Sequence, residues 1–189
     1  MKRVGILGGT FDPPHIGHVI LANEVRNALD LEEIRFMPNH TPPHKKKTES
    51  ISNDERLKML ELSISGEPSF KLEHIELESP GPSYTYNTMK KLKEREPDTE
   101  FYFIIGSDMI EYLPNWYQIE ELIKLMTFVG VKRPSYHSES DYPITLVDTP
   151  QIYLSSSMIR DKVKQGKSIK YLVLPDVEKF IEVNSLYES

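Results

Sequence analysis

The 189-residue chain contains no cysteine, which excludes a disulfide framework, a thiol nucleophile and a zinc–thiolate site. It has no apolar run near the ~20 residues that a membrane-spanning helix needs, so no membrane partner is expected. Lys2-Arg3 leads into a short apolar stretch and then Gly8-Gly9, which is not the pattern of a secretory signal. Together with the missing cysteines, this makes a cytoplasmic protein the expectation. A basic surplus is missing too: 23 Lys and Arg stand against 29 Asp and Glu, a formal net charge of -6. Non-specific nucleic-acid binding draws on a broad basic face, so no nucleic-acid partner is expected either. Two phosphate motifs are also lacking. There is no Gly-x-x-x-x-Gly-Lys-Ser/Thr loop, and Gly5-x-x-Gly8-Gly9 is not Gly-x-Gly-x-x-Gly. That tells against a P-loop NTPase and an NAD-dependent dehydrogenase. An acidic protein that handles phosphates must rely on a few placed cations and on backbone N–H groups.

What is present reads as an α/β protein. A hydrophobic content of 38% with 28% charged residues is ordinary for a globular chain, and the length suits one domain spanning 1–189. Val4-Gly5-Ile6-Leu7, closed by Gly8-Gly9, predicts a buried strand. Residues 16–29 carry a helical apolar face, and Ile34-Arg35-Phe36-Met37 predicts a second strand, completing a right-handed βαβ unit. The polar stretch 38–52 predicts an exposed loop. A helix over 53–64, with Leu57, Leu60 and Ile64 buried, precedes a strand over 70–77 and a helix over 84–95. Phe101-Tyr102-Phe103-Ile104-Ile105, stopped by Gly106, predicts the most hydrophobic strand. Short helices near 108–112 and 119–125, strands at 128–131 and 144–147, and helices near 156–165 and 176–184 complete the chain. This alternation predicts a doubly wound, Rossmann-like open sheet, mainly parallel, with helices on both faces. Ligands bind at the carboxyl ends of such strands where the winding reverses. If the first and fourth strands are neighbours, Gly8-Gly9 and Gly106-Ser107-Asp108 meet there.

The segment after the first strand is the strongest site candidate. Gly8 and Gly9 let backbone N–H groups approach a ligand, with Thr10 and Phe11 in the turn that follows. Asp12 is placed to cap the coming helix, and Pro13-Pro14 suits its lead-in. His15 and His18, three residues apart at the helix start, project on one face. There they are able to donate to phosphoryl oxygens within the positive potential of the helix N-terminus. Nothing nearby completes a protein-bound metal site. Ser155-Ser156-Ser157-Met158-Ile159-Arg160 is a second phosphate element, in which Ser156 and Ser157 supply donors at a helix start and Arg160 grips a phosphate bidentately.

These motifs, His15-Ile16-Gly17-His18 and the late Ser-Ser-Ser-x-x-Arg, resemble those of the nucleotidyltransferase α/β phosphodiesterase superfamily. The class I aminoacyl-tRNA synthetases share the first, but they are longer and carry a Lys-Met-Ser-Lys-Ser element absent here. Within the superfamily the chain is similar to the bacterial nicotinate-nucleotide adenylyltransferases. That likeness rests on residues 8–15, Pro38-Asn39, Pro42-Pro43-His44-Lys45, Ser83-Tyr84-Thr85-Tyr86, Gly106-Ser107-Asp108-Met109 and Trp116-Tyr117. The resemblance implies transfer of AMP from ATP to nicotinate mononucleotide, with Mg²⁺ carried on the phosphates and the C-terminal part from about residue 155 completing the ATP site.

The residue chemistry then suggests roles. His15, His18 and Arg160 form the catalytic set, and Gly8, Gly9, Thr10, Phe11, Gly106, Asp108, Ser156 and Ser157 help hold ATP. His44, Lys45, Tyr84, Thr85, Tyr112, Trp116 and Tyr117 are candidates for the acceptor. Trp116 and its neighbours stack on a pyridine ring or pack the core, and Thr85 receives a carboxylate or merely starts a helix. Asp108 accepts from a ribose hydroxyl, caps a helix, or does both. The expected chemistry is direct in-line attack without a covalent intermediate. Transfer to nicotinamide mononucleotide or phosphopantetheine, and a non-catalytic nucleotide-binding module, stay open as alternatives. So does assembly, a homodimer included.

Overall fold

The computed structural model describes residues 1–40, 51–78, 84–132 and 140–188, the side chains of Asp108 and Lys132 excepted. In chain order the elements are β1 (Lys2–Gly9), α1 (Ile16–Ala28), β2 (Glu33–Pro38), α2 (Asn53–Ile64) and β3 (Phe70–Leu72). Then come α3 (Thr85–Arg95), β4 (Thr99–Gly106), α4 (Ser107–Ile110), a 3-10 turn (Leu113–Asn115) and α5 (Ile119–Leu122). The chain continues through β5 (Thr127–Lys132), β6 (Ile144–Asp148), α6 (Ser156–Lys164) and α7 (Pro175–Val183). The strands form one sheet in the order β3-β2-β1-β4-β5-β6, and each described pairing is parallel.

Side-chain alternation explains how the sheet is covered on both faces. Val4 and Ile6 of β1 join Phe101, Phe103 and Ile105 of β4 in a core with Met89 and Leu92 of α3 and Leu122 of α5. Leu7 and Ile104 point the other way, into a core built with Ala22 and Val25 of α1 and Leu60 and Ile64 of α2. With α1 and α2 on one face and α3 and α5 on the other, β1 and β4 are the place where the winding reverses, and their register runs from Lys2↔Thr99 to Leu7↔Ile104. Gly8-Gly9 and Gly106 therefore open onto one crevice, as expected for a ligand site in such a sheet. A third cluster gathers Ile159, Ile169, Val177, Ile181, Leu186 and Tyr187 against Met59 of α2. It fixes the C-terminal helices beside the carboxyl end of β1. No helix among the described residues is long and apolar enough to cross a membrane.

Three details differ from the sequence reading. The strand expected over 70–77 stops at Leu72. The Glu73 carboxylate is held by Arg35 and Arg95, and the backbone then turns, with Leu77 N–H donating to the His74 carbonyl at 2.8 Å. The helix expected over 119–125 ends at Leu122 and continues as tight turns. On α2 the buried face runs through Arg56, Met59, Leu60, Ser63 and Ile64, with Leu57 only half-buried. The expected loop 38–52 lies largely outside the described residues.

Candidate active site

The turn after β1 is tightly specified. Phe11 takes a left-handed backbone conformation, φ 50°, and its ring folds back under Gly9, where an added Cβ would sit 3.1 Å from Phe11 Cζ. The glycine at 9 is thus needed for a close approach. The ring is 2% exposed, so only the Phe11 backbone is free to face a ligand. Asp12 does not cap α1, contrary to expectation: its Oδ1 accepts from the Tyr187 hydroxyl at 2.6 Å. His15 occupies the N-cap position instead.

The two histidines stack, with ring centroids 3.7 Å apart and planes 26° apart, and His18 meets the edge of Phe11 at 5.0 Å. His18 Nδ1 accepts the His15 backbone N–H at 3.1 Å. An accepting Nδ1 carries no proton, so the neutral ring holds its hydrogen on Nε2 as a donor. Burial lowers His15 to about 4. Burial, joined by the neighbouring His15, lowers His18 to about 3. Both rings are neutral near pH 7 before substrate arrives, and they act as hydrogen-bond donors, not as fixed cations. The His15 Nδ1 atom is buried without a partner among the described residues.

These shifts set a pH dependence. In the unfolded chain both histidines protonate near pH 6.5; in the folded chain they do so only near pH 4 and pH 3. The unfolded state therefore binds more protons between those limits, and stability falls as pH drops from about 6.5 towards 4. Urea titrations at pH 7, 6, 5 and 4 should show that loss, and it should be smaller in a His15→Gln, His18→Gln double variant. An identical pH slope in the two proteins would contradict the assignment.

Gly17 adds a steric condition. A Cβ there would lie 3.0 Å from His15 Nδ1 and 3.1 Å from Cε1, so the imidazole lies directly on the glycine. Gly17→Ala has better helix propensity but displaces that ring. The expected result is a folded protein whose turnover drops about tenfold, the scale of one displaced hydrogen bond. Turnover within a factor of two of the parent would show that the ring has room.

The second phosphate element meets the first across 143 residues of sequence: Ser156 Oγ donates to the Pro13 carbonyl at 2.8 Å. Arg160 Nη1 donates to the Asp12 carbonyl at 2.7 Å. Ser155, not Ser156 or Ser157, caps α6 by accepting Met158 N–H at 3.2 Å. The Ser157 side chain is exposed, which leaves its backbone N–H, unpaired as in any first helical turn, as its contribution. The N-termini of α1 and α6 converge on a cleft of about 350 Å³ lined by His15, Gly17, His18, Ile152, Ser155 and Ser156, among others. Arg160, one turn into α6, is outside this lining and reaches the turn before α1 through the Asp12 carbonyl. Neither helix has an acidic residue in its first turn, whereas α2 and α7 each have two. The positive helix ends are thus left uncompensated where an anion would lie.

A second cleft, about 420 Å³, opens on the other side of Leu21, which lines both. Its wall includes Gly8, Gly9, Thr10, Gly106, Thr85 and Trp116. Trp116 meets both expectations at once. It packs edge-on to Phe103 at 6.1 Å and to Phe128 at 5.6 Å, and it lines the cleft. Tyr84 and Tyr117 rest against each other, ring centroids 4.9 Å apart and planes tilted by 41°, at half exposure and outside the lining. Tyr112 is 61% exposed and lines neither cleft. His44 and Lys45, like the Asp108 side chain, lie outside the described residues. The sequence reading missed two polar residues of this second lining. Asn39 presents a buried Oδ1 without a partner among the described residues. Glu76 is buried, accepts the Thr88 hydroxyl at 3.0 Å and is pushed up in pKa by burial. Asn39 sits in the quoted Pro38-Asn39 pair, so its signal was present; Glu76 had none. Orphaned polar atoms on His15, at the start of α1, and on Asn39, just past β2, mark where ligand groups are wanted.

Two clefts that share Leu21 of α1, beside three helix starts free of carboxylates (α3 is the third), define a nucleotidyltransferase site. In agreement, a family model described as Cytidylyltransferase-like matches residues 6–162. A Bacillus subtilis protein named nicotinate-nucleotide adenylyltransferase is 51% identical over 189 residues, the full length of both chains. A Geobacillus thermodenitrificans protein named "Probable nicotinate-nucleotide adenylyltransferase" is 55% identical over 99% of this chain and 87% of its own. Among solved structures, the Plasmodium falciparum nicotinic acid mononucleotide adenylyltransferase complexed with NaAD is similar, with a TM-score of 0.81. It is 24% identical, with 100% of this chain and 98% of that one covered, a likeness of fold. The chain belongs to the nicotinate-nucleotide adenylyltransferase family.

Proposed function

We propose that the chain transfers the adenylyl group of ATP to nicotinate mononucleotide, giving deamido-NAD and pyrophosphate in NAD biosynthesis. The observation that carries the reading is the pair of clefts meeting at Leu21 beside Gly8-Gly9. One cleft offers His15, His18 and the α6 N-terminus to a triphosphate; the other offers Trp116 and the α3 N-terminus to an aromatic acid. A phosphate oxygen of the acceptor attacks the α-phosphorus of ATP, a new P–O bond forms, and the bond to the β-phosphate oxygen breaks in line. The acceptor phosphate is already a nucleophile at neutral pH, so the chain contributes positioning and charge stabilisation. His18 donates to the α-phosphoryl oxygens, while His15, Arg160 and the N–H groups of Ser156 and Ser157 hold the β and γ phosphates.

Among the described residues no group of three or more His, Asp or Glu could hold a metal. The residues fit a Mg²⁺ ion that enters on the phosphates of ATP as part of the substrate. Acceptor choice follows from donors at the start of α3: a nicotinate carboxylate pairs with them, whereas the N–H of a nicotinamide would leave a donor unpaired. A cytoplasmic location belongs to the same proposal, and sedimentation velocity separates a monomer from a homodimer. ATP made chiral at the α-phosphorus tests the chemistry. Inversion is the expected outcome, and retention would require a covalent intermediate and overturn the direct transfer.

A further inference from the structure

The turn that carries the histidines is held from the far end of the chain. The Asp12 carbonyl accepts from Arg160, the Pro13 carbonyl accepts from Ser156, and Ile16 N–H donates to the Leu172 carbonyl at 3.0 Å. The farthest tie is also the shortest: the Tyr187 hydroxyl donates to Asp12 Oδ1 at 2.6 Å across 175 residues. Tyr187 lies beyond α7, 8% exposed, in a left-handed conformation of φ 66°. Its ring packs in the C-terminal cluster with Ile159, the residue before Arg160. Asp12 is 5% exposed, and a buried carboxylate requires donors. It has therefore given up the helix-cap role its sequence position suggests and taken the tyrosine as partner.

We infer that Tyr187 is a positioning residue: its hydroxyl, through Asp12, sets the turn that presents His15 and His18 to the triphosphate and that accepts the Arg160 guanidinium at its Asp12 carbonyl. The chain terminus is thereby part of the catalytic framework, although Tyr187 lines neither cleft. The inference rests on the adenylyl-transfer reading for its kinetic consequence. Its structural basis is the contact to Asp12.

Two variants test it in the full-length protein. Tyr187→Phe keeps the buried ring and removes only the donor. Leu186→Ala, from the same cluster and 8% exposed, loosens the packing without touching the Asp12 contact. Tyr187→Phe is expected to lose roughly tenfold or more in kcat, the scale of one hydrogen bond to a buried charge, with the KM for nicotinate mononucleotide unchanged. The ¹⁵N shifts of the His18 ring should lose the signature of a fixed Nε2–H tautomer. Leu186→Ala is expected to melt earlier and to keep its kcat and its tautomer signature while folded. A Tyr187→Phe protein with kcat within twofold of wild type, or equal kcat losses in both variants, would overturn the inference. If wild type shows no turnover with ATP and nicotinate mononucleotide, the functional reading fails by itself. ATP affinity, weakened in Tyr187→Phe and kept in Leu186→Ala, then decides for the tie, and equal affinities decide against it.

Discussion

His18→Ala lowers turnover by about 10²–10³-fold, the usual cost of removing one donor aimed at developing charge, while the protein stays folded. His18 is in the first turn of α1, lines the triphosphate cleft and holds its proton on Nε2 because Nδ1 is committed to the His15 backbone. The donor is thus oriented before the substrate binds and needs no reorganisation as charge builds. Alanine removes it and leaves the helix, which takes alanine readily. The loss should fall on kcat, with the acceptor KM little changed, because the ring lines the other cleft. Unfolding midpoint and far-ultraviolet dichroism establish that the fold persists. Wild-type turnover in a folded His18→Ala protein would remove the histidine pair from the mechanism.

Arg56→Ala should cost about 3–5 kcal/mol of stability, the large loss expected when a buried, multiply hydrogen-bonded side chain is removed and its acceptors are left unpaired. Its side chain is among the largest fully buried. Nη1 donates to the Thr10 carbonyl at 2.7 Å, and Nη2 donates to the Asn39 carbonyl at 2.8 Å and to Asn53 Oδ1 at 2.7 Å. One guanidinium thus joins the segments that leave β1 and β2, both of which line the acceptor cleft. Burial disfavours its charge, and the nearby Asp12 offsets part of that. Alanine would leave two carbonyls and a buried carboxylate without this cation. For a chain of this size the midpoint should fall by roughly 6–20 °C. Lysine should recover only part, since a single ammonium cannot reproduce the fork. A midpoint shift under about 2 °C in Arg56→Ala would mean that the guanidinium contributes no net stability.

Local signals carried the fold and half of the site into the sequence. The strands that end at Gly9 and Gly106 were readable because apolar runs and glycine stops are local, and two such stops sufficed to place the crevice. Arg56 was hidden by its charge, although its spacing from Met59, Leu60 and Ser63 is that of a buried helix face. Tyr187 was not readable at all, because its partner lies 175 residues away. The Asp12 cap failed for the same reason: a local rule gave way to a distant hydroxyl, and His15 took the cap position. The short β3 is a further case, since the ion pairs of Glu73 with Arg35 and Arg95 belong to tertiary structure. Trp116 shows that core and site readings need not compete: the indole meets Phe103 and Phe128 edge-on while the residue still lines the cleft.

The claim on which the account turns is that the triphosphate cleft delivers an adenylyl group to an acid in the neighbouring cleft. Pyrophosphate release from ATP and Mg²⁺, measured side by side with nicotinate and with nicotinamide mononucleotide, tests it most directly. Rapid release is expected with the nicotinate form and a kcat/KM at least tenfold lower with the amide, the factor for one buried donor left unpaired. Equal rates with the two acceptors, or no pyrophosphate with either, would contradict it.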